Sequence, residues 1–314
     1  MSKYSHAPLS FQGLKTVPIQ ARGGKVRIEH FGKPFAGGSI ADFLDSLPHI
    51  LAADSFRSVV DALVSARARK KMIIWGLGGH VIKCGLAPIL IDLMRRGYAT
   101  GFALNGAAAI HDFEIAIAGH TSEDVEAVLP DGSFGAAEET GREFNASLKC
   151  EQGFGEALGH HLETVADPRF AACSLLCEAY RNSAPVTVHV AIGTDTPHTH
   201  PSANGETLGR ATHHDFRLLC SLVKEINDGG VYLNVGSAVV LPEVFLKAVS
   251  VVRNLGHPLA EFTTVNFDFL QHYRPKLNVV ERPHAGAGGH GYSITGHHEI
   301  MIPLLAAALI EGRS

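Results

Sequence analysis

Cysteine is scarce in this chain, with five among 314 residues, and none stands in a Cys-x-x-Cys pair. A dithiol redox centre or a zinc knuckle needs that spacing, so neither organises the fold. Scattered thiols, and a start without the basic-then-apolar pattern of a secretory leader, lead us to expect a reducing, cytoplasmic compartment. No apolar run reaches the roughly 20 residues of a membrane-crossing helix, so no membrane partner is expected. Large basic blocks are absent as well. The short run Arg67 to Lys71 reads as the solvated end of a helix, and a net charge of −4 argues against a nucleic-acid partner. There is no His-Glu-x-x-His, no internal repeat and no low-complexity tract.

What the chain does have is 46% hydrophobic residues, enough for a sizeable core, and 19 histidines against 31 acidic residues. Its most informative stretch is an apolar strand at Met72 to Trp75, a turn of Gly76-Leu77-Gly78-Gly79-His80, and helical spacing from Val81 to Arg96. A buried strand that empties into glycines and then a helix gathers backbone N–H groups where an anion is favoured. Similar turns recur at Asn105-Gly106-Ala107, Gly193-Thr194-Asp195 and Gly236-Ser237-Ala238.

The order strand then helix repeats along the chain. Further strands are expected at 99–104, 186–192, 230–235 and 259–267. Helices are expected at 39–51, 55–68, 132–145, 155–181 (broken near Pro168), 213–226, 241–253 and 300–311, with shorter ones near His111 to Ala118 and at Ser122 to Leu129. This pattern predicts a doubly wound, mostly parallel, Rossmann-like α/β sheet. Residues 1–35, rich in Gly, Pro and Lys, read as an arm with a short strand at Lys25 to His30, and 36–314 as a single domain. The stretch Ala285 to Gly291 reads as a loop.

In such a sheet the ligand lies beyond the carboxyl ends of the strands. His80, His111, Asp112, Asp195, His198, His200, Glu243, His284, His290, His297 and His298 all fall there. A metal-dependent reading takes His198, His200 and His297, joined by His80, His111 or His298, as ligands of zinc or a similar ion with a bound water as nucleophile. The spacing His80-x-x-x-Cys84 puts both residues on one helix face, where the thiol either is activated by the helix start or packs against the sheet; packing is the expectation. No Gly-x-Gly-x-x-Gly is present, and no acidic residue ends the second strand, so an ordinary dinucleotide dehydrogenase is not expected.

Several segments together resemble the deoxyhypusine synthase family. Trp75-Gly-Leu-Gly-Gly-His-Val-Ile-Lys-Cys-Gly-Leu86 is similar to its Gly-Tyr-Thr-Ser-Asn-Leu-Ile-Ser-Ser-Gly-Ile segment, and Leu104 to Phe113 to its Thr-Thr-Ala-Gly-Gly-Val-Glu-Glu-Asp-Leu motif. Ile192-Gly-Thr-Asp195 resembles Ala-Leu-Thr-Asp, Asn234 to Val240 resembles Leu-Gly-Gly-Gly-Val-Val, and Ile302-Pro-Leu-Leu305 resembles Phe-Pro-Leu-Leu. Order and spacing hold over about residues 35 to 310.

The resemblance implies NAD as cofactor, a small amine or polyamine-type substrate, transfer through an imine on a lysine, and a homo-oligomer, tetramer or dimer. It places Gly78, Gly79, His80, Lys83, Asn105, Gly106, Ala107, His111, Asp195, Gly236 and Ser237 on the NAD-contacting segments. Glu243 falls near the polyamine and Lys276 nearest the imine-forming lysine, with His111 or His298 to move protons. Departures accompany the matches: Glu-Glu-Asp becomes Ile110-His111-Asp112, and Lys276 sits in Arg-Pro-Lys-Leu without the family's tryptophan. A non-catalytic nucleotide-binding oligomer is the third reading.

Overall fold

The computed structural model describes residues 3–148 and 151–311. Six strands, β1 (Ile73–Leu77), β2 (Gly101–Asn105), β3 (Val186–His189), β4 (Val231–Val235), β5 (Thr263–Asp268) and β6 (His290–Thr295), form one sheet. The sheet is parallel throughout, in the order β3-β2-β1-β4-β5-β6. Strand order therefore reverses between β1 and β4. This is the Rossmann-like arrangement, with the topological switch point at the carboxyl ends of Leu77 and Val235.

Thirteen helices join these strands among the described residues: α1 (Ile40–Ser46), α2 (Leu51–Ala68), α3 (Gly79–Lys83), α4 (Ala87–Arg95), α5 (Gly106–Ala118), α6 (Val125–Val128), α7 (Glu138–Ser147), α8 (Phe154–Val165), α9 (Leu175–Arg181), α10 (Gly205–Lys224), α11 (Val240–Asn254), α12 (Tyr273–Pro275) and α13 (His298–Glu311). Strand side chains alternate between two apolar layers. Ile73, Trp75, Leu77, Leu233 and Val265 face the layer built with α2, α4, α5, α8, α9 and α13. Ile74, Ala103 and Tyr232 face α10 and α11, with Val279 from the segment after α12. The single tryptophan, Trp75, is fully buried in β1 and donates its indole N–H to the Tyr98 carbonyl at 2.9 Å. It serves as a fluorescence probe of the sheet.

Several expectations need correction. The helix expected over Val81 to Arg96 is two helices, because Gly85 takes a left-handed turn (φ 76°) and Pro88 opens α4. Helix α2 begins at Leu51, earlier than the expected residue 55, with Ile50 preceding it and no side-chain cap. Helix α10 starts at Gly205 because Asn204 accepts from the backbone N–H groups of Glu206 and Thr207. Lys25 to His30 is not a strand; a single 3₁₀ turn occupies Ile28–His30. The Gly-rich loop before α13 runs directly into the edge strand β6, whose sequence HGYSIT lacks a continuous apolar run. Between β5 and β6 the chain adopts a π-helical turn over Lys276–Glu281.

Candidate functional site

The turns after β1 and β4 meet at the switch point. Gly78 N–H donates to the Val235 carbonyl at 2.8 Å, and a Cβ at Gly78 would stand 2.0 Å from the Gly236 carbonyl oxygen. Gly236 itself holds φ 66°, against the imidazole of His298. Gly79 packs onto Ala107 and the His111 ring at the start of α5. These glycines are thus demanded by close approach of the protein's own backbone and side chains. Ser237 is buried, and its hydroxyl accepts from the Leu241 N–H in the first turn of α11 at 3.3 Å. Behind it, Asn234 donates to the Ser237 carbonyl and to Asn266 Oδ1, which fixes the turn.

Asn105 ends β2 and accepts from Ala108 N–H at 2.9 Å, capping α5. A carboxylate from the loop after β3 stands beside this turn. Asp195 lies over Gly106, so that a Cβ there would be 2.1 Å from Asp195 Oδ2. Burial holds the Asp195 carboxyl above its usual range. The loop that presents it is pinned by His198, whose Nδ1 accepts from the N–H groups of Gly193 (3.1 Å) and Asp195 (3.4 Å).

Beside Asp195 opens a cavity of about 920 Å³, walled by α5, α7 and the chain between them. Lys83, Ala107, His111 and Asp195 all line it. Five carboxylates border it, Glu114, Glu123, Glu139, Glu143 and Asp195, against two fixed cations, Lys83 and Arg142. Such walls favour a cationic ligand. His111 Nδ1 lies 2.7 Å from the Thr121 hydroxyl, which donates its hydrogen to Glu114; Thr140 donates to the other Glu114 oxygen at 3.1 Å. Since the single Thr121 hydrogen is committed to Glu114, His111 Nδ1 carries a proton and Nε2 presents the lone pair. Burial lowers the His111 pKa, which keeps the ring neutral and able to accept a proton near pH 7. Glu114 and Thr121 were missed from sequence; the i, i+3 spacing of His111 and Glu114 was the available signal.

The remaining site expectations separate in space. His200 bridges Ser202 and Glu138 and packs on α7, while His297 stacks on Phe269. His198 and His200 follow β3 and His297 follows β6, the opposite edges of the sheet, five strand spacings or roughly 24 Å apart. The proposed set His198, His200 and His297 is therefore not assembled. Lys276 is exposed on the π-helical turn, without the dry apolar surround that makes a lysine nucleophilic. Glu243 is spent on an ion cluster with Lys247, Arg274 and Asn278, and the Lys247 ammonium lowers its pKa. It anchors the Lys276 segment to α11. Asp112 points away from the cavity and caps α9.

His298 is buried, its Nε2 3.3 Å from the Phe267 carbonyl, and its Nδ1 has no partner. His80 is exposed; its ring stands 5.8 Å from that of His298 and 5.9 Å from Phe269. Cys84 is half-buried with its thiol 3.7 Å from Glu299 Oε2, and burial together with Glu299 raises its pKa. A thiol so placed is not an activated nucleophile.

A six-stranded parallel sheet with this order and a site at its carboxyl edge defines the class, a Rossmann-like α/β protein. Particular solved structures share it. A protein assigned as deoxyhypusine synthase from Entamoeba histolytica matches with a TM-score of 0.52 at 10% identity, over 90% of this chain and 96% of that one. A conserved LOR/SDH protein from Methanococcus maripaludis S2 matches at 0.52 and 14% identity, over 83% and 70% of the two chains. AgrE, solved with ornithine and NAD+, matches at 0.54 and 14% identity over 82% of this chain; the match spans only 32% of AgrE. No family model and no curated protein sequence matches the chain. These likenesses establish the fold.

Proposed function

We propose that the protein is an NAD-dependent enzyme of deoxyhypusine synthase-like fold that acts on a small amine or polyamine-type substrate. The observation that carries this reading is the acidic cavity opening beside the Asp195 carboxylate at the N-terminus of α5, on the carboxyl edge of a sheet of Rossmann order. Asp195 and Lys83 supply two of the needs of a dinucleotide, a carboxylate for a ribose diol and a cation for phosphate. NAD, when bound, supplies a hydride acceptor. The chain's own residues do the rest. Glu114, Glu123, Glu139 and Glu143 draw an ammonium-bearing substrate into the cavity, and His111 Nε2 takes up the proton that an amine must lose before its carbon is oxidised. AgrE, a part of which shares this fold, was solved in a complex with ornithine and NAD+.

The test is a thermal-shift titration with NAD+, followed by NADH absorbance in the presence of diamines and polyamines. NAD+ at 100 times its Kd is expected to raise Tm by about 5 °C. Asp195→Asn is expected to weaken NAD+ binding at least tenfold, and Lys276→Ala to leave it unchanged. Absence of any shift at millimolar NAD+ would overturn the reading. His111→Gln is expected to bind NAD+ normally and to lower amine-dependent NADH formation by about 100-fold, the range of a lost general base.

The same proposal includes a homo-oligomer. Phe11, Leu14, Val17, Ile19 and Ile28 are exposed on the N-terminal arm, an apolar row suited to a second copy of the chain. Light scattering of the whole chain is expected to give a dimer or tetramer, and deletion of residues 1–35 a smaller species; a monomer in both cases would sink it.

A further inference from the structure

We propose that His80, Cys84 and Glu299 form a binding site for one divalent transition ion of the zinc type. The site is separate from the acidic cavity and independent of the NAD reading. One imidazole nitrogen, one sulfur and one carboxylate oxygen lie within 4.8 Å of one another, and this is the single cluster of its kind among the described residues. His80 lies in α3 and Cys84, its C-cap residue, follows one turn on at i, i+4 spacing, while Glu299 reaches them from the first turn of α13, more than two hundred residues away in the chain.

The spacing fits the metal. Tetrahedral zinc with ordinary Zn–S and Zn–O bonds sets its sulfur and oxygen ligands about 3.6 Å apart. The Cys84 to Glu299 separation is 3.7 Å. Drawing His80 in from 4.8 Å or less requires only a side-chain adjustment, and its ring is exposed and free to make it. Binding converts the Cys84 thiol to a metal-bound thiolate and releases one proton to solvent, with no change of oxidation state.

The mixed set of one nitrogen, one sulfur and one oxygen suits zinc or cobalt and disfavours magnesium or calcium, which take oxygen alone. Three protein ligands leave the fourth position open, the arrangement of catalytic rather than structural zinc. His297 stands next to this set, its Nδ1 3.9 Å from Glu299 Oε1. His298, with its partnerless Nδ1, stands edge-on to the His80 ring at 5.8 Å.

Cobalt is the probe, because thiolate coordination gives a near-ultraviolet charge-transfer band that histidine and carboxylate alone do not. The reduced full-length protein, freed of metal by chelation, is titrated anaerobically with Co2+. The expected result is a charge-transfer band saturating at one equivalent and displaced by Zn2+. Cys84→Ser is expected to abolish it, Cys220→Ser to leave it intact, and His80→Gln or Glu299→Gln to weaken Co2+ binding at least tenfold. If Cys84→Ser does not fold, judged by Trp75 emission, the two variants at exposed positions decide. No band at one equivalent, a band that persists in Cys84→Ser, or unchanged affinity in both exposed variants would overturn the proposal. NAD+ takes no part in this readout, so its outcome is independent of the cofactor test.

Discussion

Gly78→Ala is expected to lower the melting temperature by about 6–10 °C, the largest effect of any single methyl group at the carboxyl edge. The new Cβ would lie 2.0 Å from the Gly236 oxygen, 2.5 Å from its carbonyl carbon and 3.0 Å from Ser237 N, all backbone atoms. No rotamer change relieves a backbone clash, so β1 and β4 must part at the switch point. Parting them strains the 2.8 Å hydrogen bond from Gly78 to Val235 and the buried Asn234 to Asn266 contact behind the turn. Overpacking typically costs about 1–3 kcal/mol, a clash with backbone stands above that range at roughly 3–5 kcal/mol, and about 2 °C is lost per kcal/mol in a chain of this size. Trp75, three residues upstream, reports the transition by fluorescence. Gly106→Ala is the instructive comparison. Its added Cβ meets the Asp195 carboxylate at 2.1 Å, a side chain that can swing away. That variant is expected to melt close to wild type while losing NAD+ affinity. Equal destabilisation by the two substitutions would refute the distinction.

The sheet was legible in the sequence because its strands are apolar runs closed by turn residues, a signal that survives without any tertiary knowledge. Strands β1, β2, β4 and β5 all stand where that signal put them, to within a few residues. Strand β6 escaped because an edge strand needs only one apolar contact: Ile294 is its one fully buried side chain. The split of the helix after β1 was written in Gly85 and Pro88, but periodicity alone overrode both.

The candidate site was legible as an edge and illegible as a constellation. Sequence order assigns residues to strand ends, yet cannot say which way each points. His111 and Asp112 are adjacent; one lines the cavity and the other caps α9 on the far side of the helix. Gly78, Gly79 and Gly236 were read as room for a phosphate, whereas the structure fills that room with the protein's own atoms. Histidines presumed to converge were divided by the width of the sheet, and a Cys–Glu contact nobody could read from spacing, between Cys84 and Glu299, joined two helices instead.

Asp112→Ala is expected to destabilise the protein by about 3–5 kcal/mol, and by more at pH 4.5 than at pH 7.5. The side chain is fully buried and accepts from the Ser174 hydroxyl (2.6 Å) and from Leu175 N–H (2.7 Å) and Leu176 N–H (2.8 Å). Truncation strands those donors at the buried start of α9, the usual origin of a penalty this size. The pH dependence follows from competition between two effects. Removal from water disfavours the charged carboxylate, while the three donors favour it; desolvation wins and the pKa rises to about 6. A group whose folded pKa exceeds its unfolded value near 4 holds its proton in the native state over a window where the unfolded chain has released it. Its contribution to stability is therefore full below about pH 4 and is lost as pH climbs through 6. A shift of about two units amounts to roughly 3 kcal/mol across that window. Asp215, equally buried beneath Gly155 and Val188, shifts in the same direction and stays in place as the internal comparison. Denaturant unfolding of wild type and variant at the two pH values, followed through Trp75, measures the difference directly. A larger loss at pH 7.5 would mean that the three hydrogen bonds outweigh desolvation and that Asp112 is ionised throughout.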